Sequence, residues 1–202
     1  MTNLANTLPT SGRGQLVPGR VYRTKDLATW GKNASRLAGR LERQGVLERL
    51  AQGLFVHPRI GRFGSIPPDD EELMRGFLEG APFVITGPER WNALGLGSTA
   101  VFATRMVYNT KRSGEFRLGG GRFLLRRVRF PAKPTPEWFA VDLLEHHDMA
   151  GVSLDTLAEG LARALKAGNL RFGTLRKEAR EYATARIQEL IEQAGSAAMM
   201  SA

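Results

Sequence analysis

The stretch NASRLAGRLERQG, residues 33–45, predicts a helix with two chemically different faces. Asn33 is a favourable N-cap residue, and Gly45 stands where a glycine commonly follows the last turn of a helix. At about 100° per residue, the small and apolar side chains fall on one face and the basic ones on the opposite face. We therefore expect an amphipathic helix over residues 34–44 whose apolar face packs on the rest of the fold.

The outer face of this helix carries only positive charge. If the helix extends back to residue 32, its basic side chains lie within about 80° of one another. They are Lys32, Arg36, Arg40 and Arg43. Such a helix fits the major groove of DNA, and its N-terminal residues reach base edges. The candidates for reading bases are Lys32, Asn33, Ser35 and Arg36, and those for contacting phosphates are Arg40 and Arg43. The alternative is a solvated face, which usually mixes charges of both signs.

The elements around this helix follow the order of a winged helix-turn-helix. A short extended piece at residues 21–22 precedes a short helix that Thr24 is suited to cap. Two β-rich pieces, residues 46–50 and 53–57, follow and form a hairpin, the wing. We expect Arg49 and Gln52 at the wing, and Arg20 and Arg23 ahead of the first helix. Each of these residues either contacts DNA or lies free on the surface.

Charge separates the chain into two parts. The chain has 202 residues and a net charge of +9. Residues 1–66 hold 11 basic and three acidic side chains, a net of +8, whereas residues 67–202 hold 18 and 17. A basic segment joined to a nearly neutral one indicates a polyanion-binding domain with a second domain attached. The positive field attracts phosphate without recognising a sequence.

The rest of the chain predicts an α+β fold with a short antiparallel sheet and C-terminal helices. Residues 59–70 contain two glycines and two prolines, so we place the linker there and the domains at residues 1–66 and 67–202. We predict helices over residues 69–79, 88–94, 137–147, 154–166 and 175–194. We predict strands over residues 83–85, 101–110 and 116–130, broken at residues 113–114 and by a glycine hairpin turn at residues 119–121. The first dozen residues predict only a poor helix around Leu4 to Leu8.

Several classes of site are excluded or disfavoured. The chain has no cysteine, which excludes disulfides and thiolate chemistry. His146 and His147 are adjacent, so on a helix they point about 100° apart and are poorly placed to share a metal. The acidic run at residues 69–72 suits a helix start better than catalysis. Residues 119–121 are three glycines without the lysine of a phosphate loop. We expect no catalytic residues, metal or cofactor, and therefore a protein that is not an enzyme.

A second basic stretch lies in the predicted sheet. Its charged residues are Arg122, Arg126, Arg127, Arg129 and Lys133, with Phe123 and Phe130 interleaved. It is either a second nucleic-acid surface, in particular for RNA, or the solvated face of a half-buried strand, which we favour.

Two groups of residues resemble a known family. Gly19-Arg-Val-Tyr, Asp26-Leu27, the run from Arg36 to Leu50, and Gly53-Leu-Phe-Val resemble the N-terminal domain of AbiEi-type antitoxins, which belong to type IV toxin–antitoxin systems. Thr86-Gly87 followed by Trp91-Asn-Ala-Leu-Gly-Leu96 resembles the opening of the antitoxin domain of that family. The resemblance covers about residues 19–130. The poor first helix before Gly12 is a departure, since a full winged helix uses that helix in its core.

The resemblance implies two functions. The first domain would bind double-stranded DNA at its own promoter and repress its operon, and two copies on an inverted repeat would fit this. The second would counteract a nucleotidyltransferase-like toxin, with or without a direct complex. The rivals are a regulator with no toxin, and an RNA-binding protein or enzyme that acts through the second domain. No stretch approaches the roughly 20 apolar residues of a membrane span, and the N-terminus lacks a signal-peptide core, so we expect a cytoplasmic protein that does not bind membranes.

Overall fold

The computed structural model describes residues 16–101 and 103–200. The contacts divide the chain into two compact units. The first unit takes the chain up to residue 82 together with residues 115–123, and the second takes residues 83–114 and everything from residue 124. This division differs from the boundary that the sequence predicts after residue 66. The helix predicted around Leu4 to Leu8 lies outside the described residues.

The first unit begins with a three-stranded sheet and two helices. Its elements are β1 (Val21–Arg23), a 3-10 helix (Thr24–Trp30), α1 (Ala34–Arg43), β2 (Glu48–Ala51), β3 (Leu54–Val56), β4 (Arg59–Gly61), β5 (Gly64–Ile66) and α2 (Asp70–Phe77). Strands β1 and β2 both pair antiparallel with β3, which gives the order β1-β3-β2. Arg23, not Thr24, occupies the N-cap of the 3-10 helix, which corrects the predicted cap.

Helix α1 lies where the sequence predicts it. The side-chain oxygen of Asn33 accepts a hydrogen bond of 2.9 Å from the backbone N–H of Arg36, and Gly45 follows the helix with a φ of 69°. Its buried face packs into a small apolar core. The other members of that core are Leu16, Tyr22, Leu27, Leu47 and Phe55. Because this face is fixed by packing, the opposite, basic face is held towards solvent.

We expect Asn33→Ala to destabilise the first unit by about 1 kcal/mol, because the N–H of Arg36 loses its acceptor at the helix start. Chemical denaturation followed by circular dichroism measures this loss. Ser35→Ala is the matched control, since it removes a polar group from the same turn without removing the cap. Equal losses in the two variants would contradict a capping role for Asn33.

The segment predicted as a linker contains a β-hairpin. Strands β4 and β5 pair antiparallel, with Arg59 opposite Ile66 and Gly61 opposite Gly64. The prediction of a linker over residues 59–70 was therefore wrong for residues 59–66. Two glycines and two prolines stand among the twelve residues of the segment, and this hid a pairing that only three residues in each strand support.

Helix α2 closes the other side of β1. The backbone N–H of Val21 donates to Oε1 of Glu72 at 2.9 Å, and a methyl group on Gly76 would lie 2.4 Å from Cγ1 of Val21. The rings of Phe77 and Phe116 meet edge to face, with their centroids 5.0 Å apart. Phe116 belongs to residues 115–123, so the first unit uses a piece of chain that comes later in the sequence.

From residue 83 onward the chain forms one further sheet and most of the helices. The elements are β6 (Phe83–Thr86), α3 (Pro88–Asn92), β7 (Thr104–Asn109), β8 (Gly114–Leu118), β9 (Gly121–Arg127), α4 (Pro136–Glu145), α5 (Leu154–Lys166), α6 (Phe172–Tyr182) and α7 (Ala185–Met200). The strand order is β6-β7-β9-β8, and β6 pairs antiparallel with β7. A mixed α+β fold with small antiparallel sheets and C-terminal helices is thus confirmed.

The single helix predicted over residues 175–194 was wrong. Two helices stand there, since α6 ends at Tyr182 and α7 starts at Ala185. The backbone N–H of Thr184 donates to Oε1 of Glu145 instead of continuing α6. The spacing of apolar residues does not reveal this break, because the buried Ala179 and Ile187 stand four residues on either side of Ala183, which is partly buried against the same core. Within the described residues, no helix is long and apolar enough to cross a membrane.

Candidate nucleic-acid interface and a polar cavity

The basic residues predicted to face DNA lie exposed on or beside α1. Arg36, Arg40 and Arg43 are exposed along the helix, and Ser35 is exposed in its first turn. Lys32 is also exposed, but it precedes the N-cap, so the helix does not extend back to it. The predicted arc of four charges on one helix is therefore three charges on the helix and one in the segment that leads into it.

Other predicted DNA-contacting arginines are engaged within the first unit. Arg49 makes two hydrogen bonds with the carboxylate of Glu42, at 2.8 and 2.6 Å, and its guanidinium lies 5.3 Å from the centroid of the Phe55 ring. The hydrogen bonds from Arg49 lower the pKa of Glu42 below its usual value. Arg23 is half-buried and forms an ion pair of 2.8 Å with Glu79. Both arginines thus hold the first unit together, and their charges are offset.

The remaining residues predicted to contact DNA differ in the contacts that their side chains make within the first unit. The guanidinium of Arg43 donates to the carbonyl oxygen of Gly39 at 3.1 Å, so this side chain lies along the helix. The guanidinium of Arg20 lies 5.5 Å from the ring centroid of Tyr22. Gln52 is exposed at the tight turn between β2 and β3, where the carbonyl of Gly53 accepts a hydrogen bond from Thr24.

This arrangement suits a helix that is presented to a polyanion. The apolar face of α1 is buried, its N-terminus is capped, and its outer face holds cations on a rigid element. The charge of Glu42, the only acidic residue of α1, is offset by Arg49. Phosphate groups would therefore meet positive charge without a competing carboxylate on this face.

A buried polar cluster lies in the second unit, centred on the carboxylate of Asp142. This side chain is 5% exposed. Its Oδ2 accepts hydrogen bonds from the hydroxyl of Thr86 and from Nε1 of Trp91, the latter at 2.8 Å, and its Oδ1 accepts one of 2.7 Å from the hydroxyl of Tyr108. Three donors from β6, α3 and β7 thus converge on one acceptor in α4. Such charge-assisted hydrogen bonds offset the cost of burying the carboxylate.

His146 extends this cluster by one turn of α4. Nη1 of Arg126 lies 2.8 Å from Nε2 of His146, and Nδ1 of His146 lies 2.8 Å from the carbonyl oxygen of Asp142. A guanidinium can only donate, so Nε2 is the acceptor and the proton of a neutral imidazole is on Nδ1. The ring also stacks on Trp91, with the centroids 5.9 Å apart. The histidine is thereby fixed in one tautomer and one orientation.

The cluster borders a cavity of about 540 Å³, large enough for a small ligand. Its lining includes Arg126 and Arg129 from the end of the sheet and Glu181 and Tyr182 from α6. Burial, followed by the neighbouring Asp142 carboxylate, raises the pKa of Tyr108 far above its usual value, so this hydroxyl stays protonated and acts as a donor. The cavity therefore combines aromatic walls with fixed hydrogen-bonding groups.

The sequence interpretation did not find Asp142 or Tyr108. A signal was present, because Asp142 interrupts the apolar run of α4 between Val141 and Leu143, and an acidic residue on a buried face needs several donors. The motif that carries the antitoxin-domain resemblance supplies two of them, Thr86 and Trp91. In the structure, that part of the motif builds the buried cluster.

The histidine pair and the acidic run, which the sequence disfavours as metal or catalytic sites, make ordinary structural contacts. His147 turns away from His146, and its Nδ1 lies 3.3 Å from the carbonyl oxygen of Val152. Asp69 caps α2 by accepting from the N–H of Glu72 at 2.7 Å. Among the residues that the structure describes, no three histidine, aspartate or glutamate side chains form a group that could hold a metal.

The second basic stretch is divided among different environments. Arg126 is half-buried on His146, and Arg129 lies 3.5 Å from Oε1 of Glu181. Arg122, Arg127 and Lys133 are exposed. The stretch therefore does not present one continuous row of equivalent cations, which favours a half-buried strand with a solvated face.

No model of a protein family matches this chain, and no curated protein matches it. Its function must therefore be inferred from the residues and their geometry.

Proposed function

We propose that this protein is a DNA-binding transcriptional autorepressor and the antitoxin of a type IV toxin–antitoxin system. The observation that carries the proposal is the exposed basic face of α1, which is held rigidly by a buried apolar face and a capped N-terminus. The resemblance to AbiEi-type antitoxins over about residues 19–130 supplies the antitoxin part.

The first unit is, in this proposal, a winged helix-turn-helix. The 3-10 helix and α1 are its two helices, and the β2–β3 hairpin is its wing. The order of the elements and the addition of β1 to the hairpin edge support this assignment. Helix α1 is then the recognition helix, and its first turn, with Ser35 and Arg36, approaches the base edges.

The mechanism is non-covalent and proceeds in the cytoplasm. The positive field attracts the phosphates, α1 enters the major groove, and two copies bind an inverted repeat of the promoter. The second unit counteracts a nucleotidyltransferase-like toxin, either by contacting it or by acting on its target. The polar cluster around Asp142 keeps that unit folded for this task.

A mobility-shift titration at about 0.15 M salt tests the DNA-binding part. The probe is the DNA upstream of the gene, and the competitor is a scrambled duplex of equal length. Preference for the upstream DNA is the expected result. Equal, salt-sensitive binding to both would reduce the protein to a polyanion binder, and binding to neither would overturn the proposal. Rescue of growth on co-expression with a neighbouring nucleotidyltransferase gene tests the antitoxin part.

We expect Arg36→Ala to weaken binding to the upstream DNA by about 1–3 kcal/mol, while binding to random DNA changes much less. The guanidinium of Arg36 lies in the first turn of α1, where bidentate contact with guanine is feasible. Anisotropy titrations on the two duplexes measure the difference. Arg163→Ala, which removes an exposed arginine of the second unit, is the control. An equal loss on both duplexes would assign Arg36 to a phosphate contact.

The cavity in the second unit favours a second candidate function, the binding of a small ligand or of RNA. It brings His146 near Glu181, a carboxylate that is distant in sequence, and it has two arginines in its lining. Filter binding with a single-stranded RNA tests this candidate. The candidate is supported if RNA binding survives charge reversal on α1 but is lost in Arg126→Ala and Arg129→Ala. It is refuted if RNA binding is lost only when the charges on α1 are reversed.

A further inference from the structure

The β4–β5 hairpin ends in a bulky aromatic residue that is almost fully exposed. Gly61 pairs with Gly64, so Arg62 and Phe63 form the two-residue turn between the strands. The Phe63 side chain is 98% exposed. Glycine, asparagine and aspartate are the usual residues of such turns, because they adopt the required backbone angles or bond locally. A phenylalanine at this position contributes no burial to folding, so its ring is available to a partner.

The β4–β5 hairpin forms an arm that is held in place by a side-chain contact and a hydrogen bond. A methyl group on Gly61 would lie 2.9 Å from Cδ1 of Ile66, so the Ile66 side chain already covers that glycine. The hydroxyl of Ser65 donates to Oε2 of Glu48 at 3.0 Å. This bond ties β5 to β2, the strand that follows α1 in the chain. The arm is thus attached to the same unit that carries the proposed DNA-reading helix.

The charge of the arm indicates its partner. No carboxylate occurs between residues 49 and 68, whereas Arg59 and Arg62 lie on the hairpin. Both arginines are exposed. Nε of Arg59 donates to the carbonyl oxygen of Pro18 at 3.4 Å, whereas the guanidinium carbon of Arg62 lies 5.8 Å from the centroid of the Phe63 ring. A cation beside a free aromatic ring matches a nucleic acid, which offers a phosphate beside a base that can stack. A purely apolar groove of a protein would offer no anion to the guanidinium of Arg62.

We propose that the β4–β5 hairpin inserts Phe63 between two base pairs in the minor groove of the duplex that α1 contacts, and that it bends this DNA. The inference rests on the proposed function. Arg62 contacts a flanking phosphate while the ring unstacks one base step. Apolar wedges in minor-groove proteins act in this way and kink the duplex by about 20–90°. The cost of unstacking is offset by the additional contacts that a bent duplex makes with the protein.

Energy transfer between dyes on the two ends of a duplex measures the bend. The probe is a duplex of about 40 base pairs from the upstream DNA, which is shorter than the persistence length and therefore straight when free. We expect the wild-type protein to shorten the distance between the ends. Phe63→Ala should abolish the bend and lower affinity about tenfold, whereas Phe63→Leu should keep part of the bend. Val101→Ala, which truncates an exposed valine of the second unit, should change neither.

The outcomes separate this inference from the proposed function. If the wild-type protein binds the upstream duplex preferentially but leaves it straight, or if Phe63→Ala bends it fully, the hairpin inference fails and the repressor proposal stands. If no variant binds DNA, both fail. The rival partner of Phe63 is a second copy of this chain, and sedimentation without DNA tests it. If the wild-type protein is a dimer and Phe63→Ala is a monomer, the ring serves self-association and the insertion proposal is overturned.

Discussion

Reversing the charges on the exposed basic side of the first unit, in the variant Lys32→Glu/Arg36→Glu/Arg40→Glu, should reduce the proposed affinity for any duplex more than about a hundredfold at 0.15 M salt. Three cations that we propose to contact phosphates or bases would be replaced by three repelling carboxylates. Since each phosphate contact contributes about 0.9 to the slope of log affinity against log salt concentration, the slope should fall by up to about 2.7. Anisotropy titrations at several salt concentrations measure both quantities.

The matched control reverses three exposed basic residues of the second unit, Arg163→Glu/Lys166→Glu/Arg186→Glu. It changes net charge equally, so an equal loss of affinity would show that total charge, not the α1 face, determines DNA binding. Folding should be unchanged in both variants, because exposed substitutions shift stability by about 0.5 kcal/mol or less. Thermal melts check this condition before binding is compared.

Asp142→Ala should destabilise the second unit by about 3–5 kcal/mol, the range found when one partner of a buried charged network is removed. Three buried donors, on Thr86, Trp91 and Tyr108, would lose their common acceptor, and a cavity would remain where the carboxylate was. Urea denaturation monitored by tryptophan fluorescence measures the loss, since Trp91 is itself a donor to Asp142.

Two further variants make this result specific. Asp148→Ala removes a carboxylate that is 94% exposed just beyond the same helix, so we expect little change. Asp142→Asn keeps the shape but puts an NH₂ group against a donor, and its loss should lie between the other two. A loss below about 1 kcal/mol in Asp142→Ala would mean that the three donors find other partners.

The sequence was informative where a pattern is local. Asn33 and Gly45 delimit α1 because caps and glycine stops act over a few residues, and α5 was predicted with the bounds that the structure has. The α+β class follows from the same local patterns. The chemical character of the α1 surface was also predictable, because charge on one helical face can be counted from spacing alone.

What the sequence did not reveal depends on residues that are distant in the chain. Whether Arg49 is free or paired is decided by Glu42 on a preceding helix, and the role of Asp142 is decided by donors from three other elements. The β4–β5 hairpin is held by three residue pairs and a bond to Glu48, too little to overcome a composition typical of a loop. The break between α6 and α7 depends on Glu145, whose carboxylate takes the N–H that would have continued the helix.

The first unit is not complete until the ribosome has made residue 123. Phe77 is translated well before its ring partner Phe116, so at about 5–20 residues per second the nascent first unit waits on the order of seconds for that partner. During that time β6, α3 and β7 of the second unit emerge. Neither unit is therefore finished before the other has begun, and a chain truncated after residue 82 would present Phe77 to solvent. The first unit, which we propose to bind DNA, is thus completed only while the second unit is being made.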